Sequence, residues 1–289
     1  MTPGETTHRF REFARRSHEV IVLAAITGVV TGFAVALFDR IVVDGILDHL
    51  YELSPWVLAF MPLVGLALSW LALFYVGRTR DPGMTDLYLK AFHDPEQSYR
   101  LREFPGRMLA AIATPAFGGA MGLEGGSLYL GSYFGSFLQR RFPRFTAGSS
   151  RRVLLVAGAA AGVAAIFKAP ATGAIFALEV PYQEDLARRM LLPALVASAS
   201  GYLAFVTVNG ITPLFAARGA PPLSFADLAG AVGLGIGAGI CARAFAWLLI
   251  AAESRARRAR DGECEAGGAA DAGTERHQCW KSIRYERLT

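Results

Sequence analysis

The stretch "VIVLAAITGVVTGFAVALF", Val20 to Phe38, carries no charge and has the length of roughly 20 residues that an α-helix needs to cross a hydrocarbon core. A second stretch, "PWVLAFMPLVGLALSWLALFYV" from Pro55 to Val76, is equally uncharged. Read together, the two decide the fold class: all-α, a polytopic membrane protein. Composition agrees. Of 289 residues, 53% are hydrophobic and 18% charged, where a soluble domain carries about a quarter charged residues, and the mean hydropathy is +0.35.

Four arginines, Arg9, Arg11, Arg15 and Arg16, precede the first stretch, as they would in a signal peptide. The apolar run exceeds a typical signal core and more spans follow, so it reads as an uncleaved first helix. Those arginines place segment 1–19 on the cytoplasmic side by the positive-inside tendency, in a multi-pass protein of the cell membrane. The net charge of +5 fits basic cytoplasmic loops, and without a basic and aromatic surface pattern no nucleic-acid partner is expected. Cys241, Cys264 and Cys279 are odd in number and form no CxxC pair, which argues against disulfide frameworks and zinc sites. No cofactor or metal is expected. The histidines at 8, 18, 49, 93 and 277 fall outside the apolar spans and show no nucleophile-base spacing, so an enzyme is not expected either.

Further apolar stretches run over 108–137, 153–181, 191–215 and 225–252. The first is interrupted by Pro115 and the glycines at 118, 119, 122, 125 and 126; the second by Lys168, Pro170, Gly173 and Glu179. Irregular backbone cannot face lipid, so such breaks imply loops outside the membrane or discontinuous helices around a cavity; the latter is a transporter pattern. Between the spans, 77–107 is polar and holds a helix-like piece, "MTDLYLKAFH", and 140–152 reads as a solvated basic loop. Segment 253–289 has eight Lys/Arg and seven Asp/Glu with almost no aliphatic residues, and is expected to be a disordered tail.

Few ionisable residues stand within the apolar stretches, and Glu124, Lys168 and Glu179 are the clearest. A charge at bilayer depth costs at least about 2.5 to 3.5 kcal/mol, so such residues face a wet cavity or a partner. Lys168 and Glu179 are candidates for an ion pathway, with snorkelling from helix ends as the alternative. Glu124 lies in "PAFGGAMGLEGGSLYLGSY" (115–133), and "SLYLGSYFGSFLQRRF" reads as a helix starting just behind it. A helix N-terminus with unpaired N–H donors is an anion site, and the backbone of Gly122, Leu123, Gly125 and Gly126 would supply it. A carboxylate beside that site competes with the anion, which makes Glu124 a candidate gate. Small-xxx-small packing accounts for Gly118, Gly122, Gly131 and Gly135 and leaves the carboxylate unexplained.

"GLEGG" (122–126) resembles the G-[KR]-E-G-P signature of the CLC family of chloride channels and proton-coupled anion exchangers. "AGAAAGVAAIFKAPATGAIFALEV" (157–180) resembles that family's following hallmark, A-A-G-x-A-A-x-F-x-A-P-x-x-G-x-x-F-x-x-E, in order and spacing. The resemblance covers roughly 20–252 and implies a CLC-type transmembrane domain, voltage-gated chloride channel activity or anion exchange, and a homodimer with one pore per subunit. It implies that Glu124 is the gating glutamate, that the transported species is chloride or a related anion, and that protons are a possible second one. The family's G-S-G-I-P loop, which coordinates the central anion, aligns with "RDPGMT" (80–85), so Pro82, Gly83 and Met84 take its place, with Pro82 at the serine. Val180 stands where family exchangers carry a second glutamate after the one matching Glu179, which implies channel-like or loosely coupled movement. Gly126 replaces the signature proline, which should loosen the first helical turn.

Family members consist of two inverted halves around one pore. This chain supplies the first half and an opening helix of the second, "FADLAGAVGLGIGAGICARAFAWLLIAA", without the second half's G-x-F-x-P loop or coordinating tyrosine. The expectation is therefore anion transport through an incomplete CLC pore. The alternative is a truncated remnant or membrane assembly partner that does not transport, as a frameshift before 253 would produce.

Overall fold

The computed structural model describes residues 3–79, 83–94, 99–142, 152–181, 188–212 and 224–267, with backbone alone for 3–17, 188–189, 253 and 256–267. Among these residues every regular element is helical and no strand occurs. Helix α1 (Pro3–Val42) continues through a π-helical turn (Val43–Leu47) into Asp48–Leu50, and α2 (Pro55–Leu71) ends in another π turn, Ala72–Gly77. The remaining helices are α3 (Thr85–His93), α4 (Phe104–Ala116), α5 (Glu124–Arg141), α6 (Val153–Phe167), α7 (Pro170–Glu179), α8 (Arg188–Asn209) and α9 (Phe225–Gly267). Among the described residues, four segments are long and apolar enough to cross a membrane: His18–Leu50, Pro55–Gly77, Met190–Asn209 and Phe225–Ala252.

Residues 1–216 form one compact unit and 217–289 another. In the first, α6 is the central element. It is packed by α1, α5, α7 and α8, and every residue from Val153 to Ile166 is buried. Its alanines and glycines permit that crowding: a Cβ on Gly158 would strike the Gly131 carbonyl of α5, and one on Gly162 would strike the Ser127 carbonyl. In lipid, where apolar burial gives little drive between helices, close backbone approach through small residues supplies the packing. The pairs Gly131 with Gly158 and Ser127 with Gly162 also set α5 and α6 antiparallel.

The outer helices show the reverse character. On α2, Trp56, Phe60, Leu63 and Trp70 are exposed, as lipid-facing side chains are. Its other face meets α4, where the Ser69 hydroxyl donates to the Ala110 carbonyl at 3.1 Å and Gly65 lies against Phe117. The second unit's α9 runs on past the change of composition at residue 253 as far as Gly267; residues 268–289 lie outside the described ones.

Candidate functional site

Helix α4 ends because Gly118 adopts φ +79°. The Gly119 N–H then bonds the Thr114 carbonyl and the Gly118 N–H the Pro115 carbonyl, both at 2.9 Å, the reciprocal pair of a Schellman ending. A short turn follows and α5 begins at Glu124 itself, three residues before the expected start at Ser127. Leu123 is its N-cap with φ −80° and ψ −9°. The Leu123 carbonyl accepts the Ser127 N–H at 3.0 Å and the Ser127 hydroxyl at 2.8 Å. The N–H groups of Glu124, Gly125 and Gly126 precede that first bond and are the unpaired donors of a helix start.

Glu124 is exposed, and its carboxylate folds back over the preceding turn. A Cβ on Gly122 would fall on both carboxyl oxygens, so the missing side chain at 122 is the space the carboxylate occupies. Gly125 has open space around its Cα, with nothing within 4 Å of a built Cβ. Gly126 is buried: a Cβ there would come within 2.8 Å of the Phe38 ring and 3.3 Å of Ala111. The glycines expected to serve packing therefore divide. Gly131 and Gly135 do lie against backbone of α6, whereas Gly118 serves a turn and Gly122 makes room for Glu124.

Pro82 lies outside the described residues. Gly83 and Met84 precede α3, with Met84 as its N-cap at φ −93° and its side chain buried in the main core cluster, against which Leu123 also packs. The Gly83 carbonyl accepts Arg107 Nη1 of α4 at 3.2 Å. Helices α4 and α5 are antiparallel, since the Phe104 ring stacks on Tyr133 with centroids 4.0 Å apart and Ala111 faces Gly126. Arg107 is then level with about Tyr129, and its guanidinium, which also reaches Glu103 one turn toward the N-terminus of α4, meets the start of α3 at Gly83, away from the Glu124 end of α5.

Lys168 and Glu179 stand at opposite ends of α7. Lys168 closes α6 in the left-handed conformation, φ 54° and ψ 34°. Its Nζ donates to the Thr212 carbonyl at 2.6 Å and sits 5.8 Å from the centre of the Phe205 ring. Because Gly162 meets Ser127, Lys168 lies at the same end of the bundle as Glu124. Pro170 opens α7, which folds back along α6 with Gly173 against Ala164, and so carries the exposed Glu179 toward the other end. The two do not pair. Val180, beside Glu179, packs against the core cluster.

Three polar features went unmarked in the sequence. Arg107 is 2% exposed; an arginine followed by an uncharged run through Ala116 is the signal for it. Asp39, at the edge of the first span, accepts Asn209 Nδ2 at 2.7 Å. Tyr99, outside the spans, shares a 2.7 Å hydrogen bond with Ser132. Burial pushes its phenol above the ordinary range, against the pull of that bond.

Residues 64–264 match the family described as "Voltage gated chloride channel". The chain belongs to the CLC family. A "Chloride/fluoride channel protein" of Pseudomonas syringae pv. tomato (strain ATCC BAA-871 / DC3000) is 32% identical over 181 residues, 62% of this chain and 38% of that one. An "H(+)/Cl(-) exchange transporter ClcA" of Yersinia pestis bv. Antiqua (strain Angola) is 28% identical over 193 residues, 61% of this chain and 39% of the relative. This CLC chain thus aligns with about two fifths of the length of these relatives. A solved structure, "Crystal structure of a CLC-type fluoride/proton antiporter", superposes with a TM-score of 0.61 at 24% identity, covering 83% of this chain and 56% of that one. The likeness bears out the all-α CLC fold.

Proposed function

We propose that this chain forms part of a CLC-type pathway for chloride or a related anion such as fluoride, with Glu124 as its gate. The observation that carries the reading is the start of α5: unpaired N–H donors, open space at Gly125, and a carboxylate folded over Gly122. A helix N-terminus holds roughly half a positive charge. An anion and the Glu124 carboxylate would compete for it, so flux requires the carboxylate to swing away or take a proton. The backbone at Gly83 and Met84, at the start of α3, is the second binding element in this reading, with Pro82 beside it.

Lys168 shares the end of the bundle with Glu124 and is read as lining the anion's approach, and Glu179 as lining its other end. Val180, half-buried and apolar, leaves no carboxylate at the position from which exchangers pass protons inward, which favours channel-like or loosely coupled movement. In this reading the protein lies in the cell membrane with its N-terminus cytoplasmic. It is expected to act as a homodimer, with α1 to α8 supplying the first of two inverted halves and α9 opening the second.

The test is anion efflux from liposomes containing the purified full-length chain, with wild type compared to Glu124→Gln across pH. The neutral side chain should flatten the pH dependence of flux. Unchanged flux together with an unchanged pH response would count against Glu124 as the gate. Absence of wild-type flux above protein-free liposomes would favour the non-transporting alternative.

A further inference from the structure

Arg107 is the largest of the fully buried side chains among the described residues. Its guanidinium donates to three acceptors on three segments: Nη1 to the Gly83 carbonyl at 3.2 Å, and Nη2 to the Thr79 hydroxyl at 3.3 Å and to Glu103 Oε2 at 3.2 Å. Thr79 follows the π turn that ends α2, Gly83 leads into α3, and Glu103 is the N-cap of α4. One side chain therefore fixes where α3 begins relative to α2 and α4. The planar fork of arginine serves such divergent acceptors, and the single ammonium of lysine cannot reproduce it.

Burying this charge is costly even after relaxation. Glu103, with 21% of its side chain exposed, compensates it from the solvent side. A neutral donor would have held α3 to α2 at less expense. What arginine adds is a fixed three-way junction and a positive charge just behind the backbone of Gly83.

We propose that Arg107 is a positioning residue for the start of α3, holding the Gly83 backbone against Thr79 and Glu103 at the spacing an anion requires. This rests on the reading above that Gly83 and Met84 meet the anion. It predicts that loosening the junction weakens anion affinity more than maximal throughput.

The experiment compares the full-length wild type with Arg107→Lys and Thr79→Val in liposomes, measuring the half-saturating chloride and fluoride concentrations, the maximal flux, and hydrogen exchange of the first α3 amides. A charged hydrogen bond lost corresponds to about a tenfold change, so Arg107→Lys should raise half-saturation about tenfold with maximal flux little altered. Thr79→Val should act in the same direction by a smaller factor, and both should speed exchange at α3. Folded variants with wild-type half-saturation overturn the proposal, even if exchange quickens, because the role would then be structural only. Should Arg107→Lys fail to fold, Thr79→Val decides alone by the same criterion. A wild type without flux refutes the transport reading instead; faster α3 exchange in the variants would then still assign the junction to Arg107, and unchanged exchange would refute that as well.

Discussion

Replacing Gly122 with alanine tests the competition between carboxylate and anion without touching either. Gly122 does not have a positive φ, so alanine meets no backbone strain there. The three atoms nearest to its methyl group would all belong to the Glu124 carboxyl group, so Glu124 must leave its folded-back position. A carboxylate at a helix N-terminus is favoured by about 0.3–1 kcal/mol when exposed and up to ~2 kcal/mol when partly buried. Glu124 is exposed, so the loss is set at about 1 kcal/mol, roughly a fivefold change in an equilibrium. If the anion competes for the same donors, the half-saturating anion concentration in Gly122→Ala liposomes should fall about fivefold. The Glu124→Ala background supplies the control: with the colliding group gone, Gly122→Ala should have no further effect, the non-additivity expected of residues in contact. Equal effects in both backgrounds, or none in the wild type, would refute the folded-back carboxylate as the competitor.

Two further outcomes follow from other contacts. Restoring the family's proline, Gly126→Pro, removes no ladder hydrogen bond but presses on the Phe38 ring, 2.8 Å from a built Cβ; overpacking of this kind costs about 1–3 kcal/mol. The single variant should melt below wild type and Gly126→Pro with Phe38→Ala should recover part of the loss relative to Phe38→Ala alone, as read by thermal unfolding in detergent. The raised pKa of Tyr99, due to burial, means that the folded state holds the phenolic proton more tightly than the unfolded one. That contribution is complete below the ordinary value of 10.0 and is lost as pH climbs beyond it. Tyr99→Phe should therefore show a shallower loss of stability above that pH, and a wild-type slope in the variant would contradict the assignment.

The sequence was legible where polarity or glycine broke a pattern, and opaque where every residue was apolar. The spans at 20–38 and 55–76, the short α3 and the helix behind Glu124 all follow from such breaks, and the start of α5 was misplaced only by three residues. Apolar content does not separate α6, buried on all sides, from the exposed flank of α2, because lipid and protein interior are equally apolar solvents. Small residues make that distinction, and in α6 they do so through Gly158 and Gly162. The helical course of α9 beyond 252 was missed because charge and low aliphatic content argue against a core, and a single helix needs none. Arg107 was hidden at the edge of a polar segment, where an arginine ordinarily meets water.

The break between α6 and α7 links these readings. Lys168 in the left-handed region turns the chain, and Pro170 at the first position of α7 needs no N–H partner, so α7 returns along α6. That reversal leaves Lys168 beside the Glu124 end and carries Glu179 and Val180 toward the opposite one. Between α4 and α5, Phe104 contacts both Tyr129 and Tyr133, and Val180, beside Glu179, offers no carboxylate. The proposed anion route needs only backbone donors, those at the starts of α5 and α3. That contrast, donors at helix starts against an apolar Val180, is the ground on which the proposed function prefers weakly coupled anion movement.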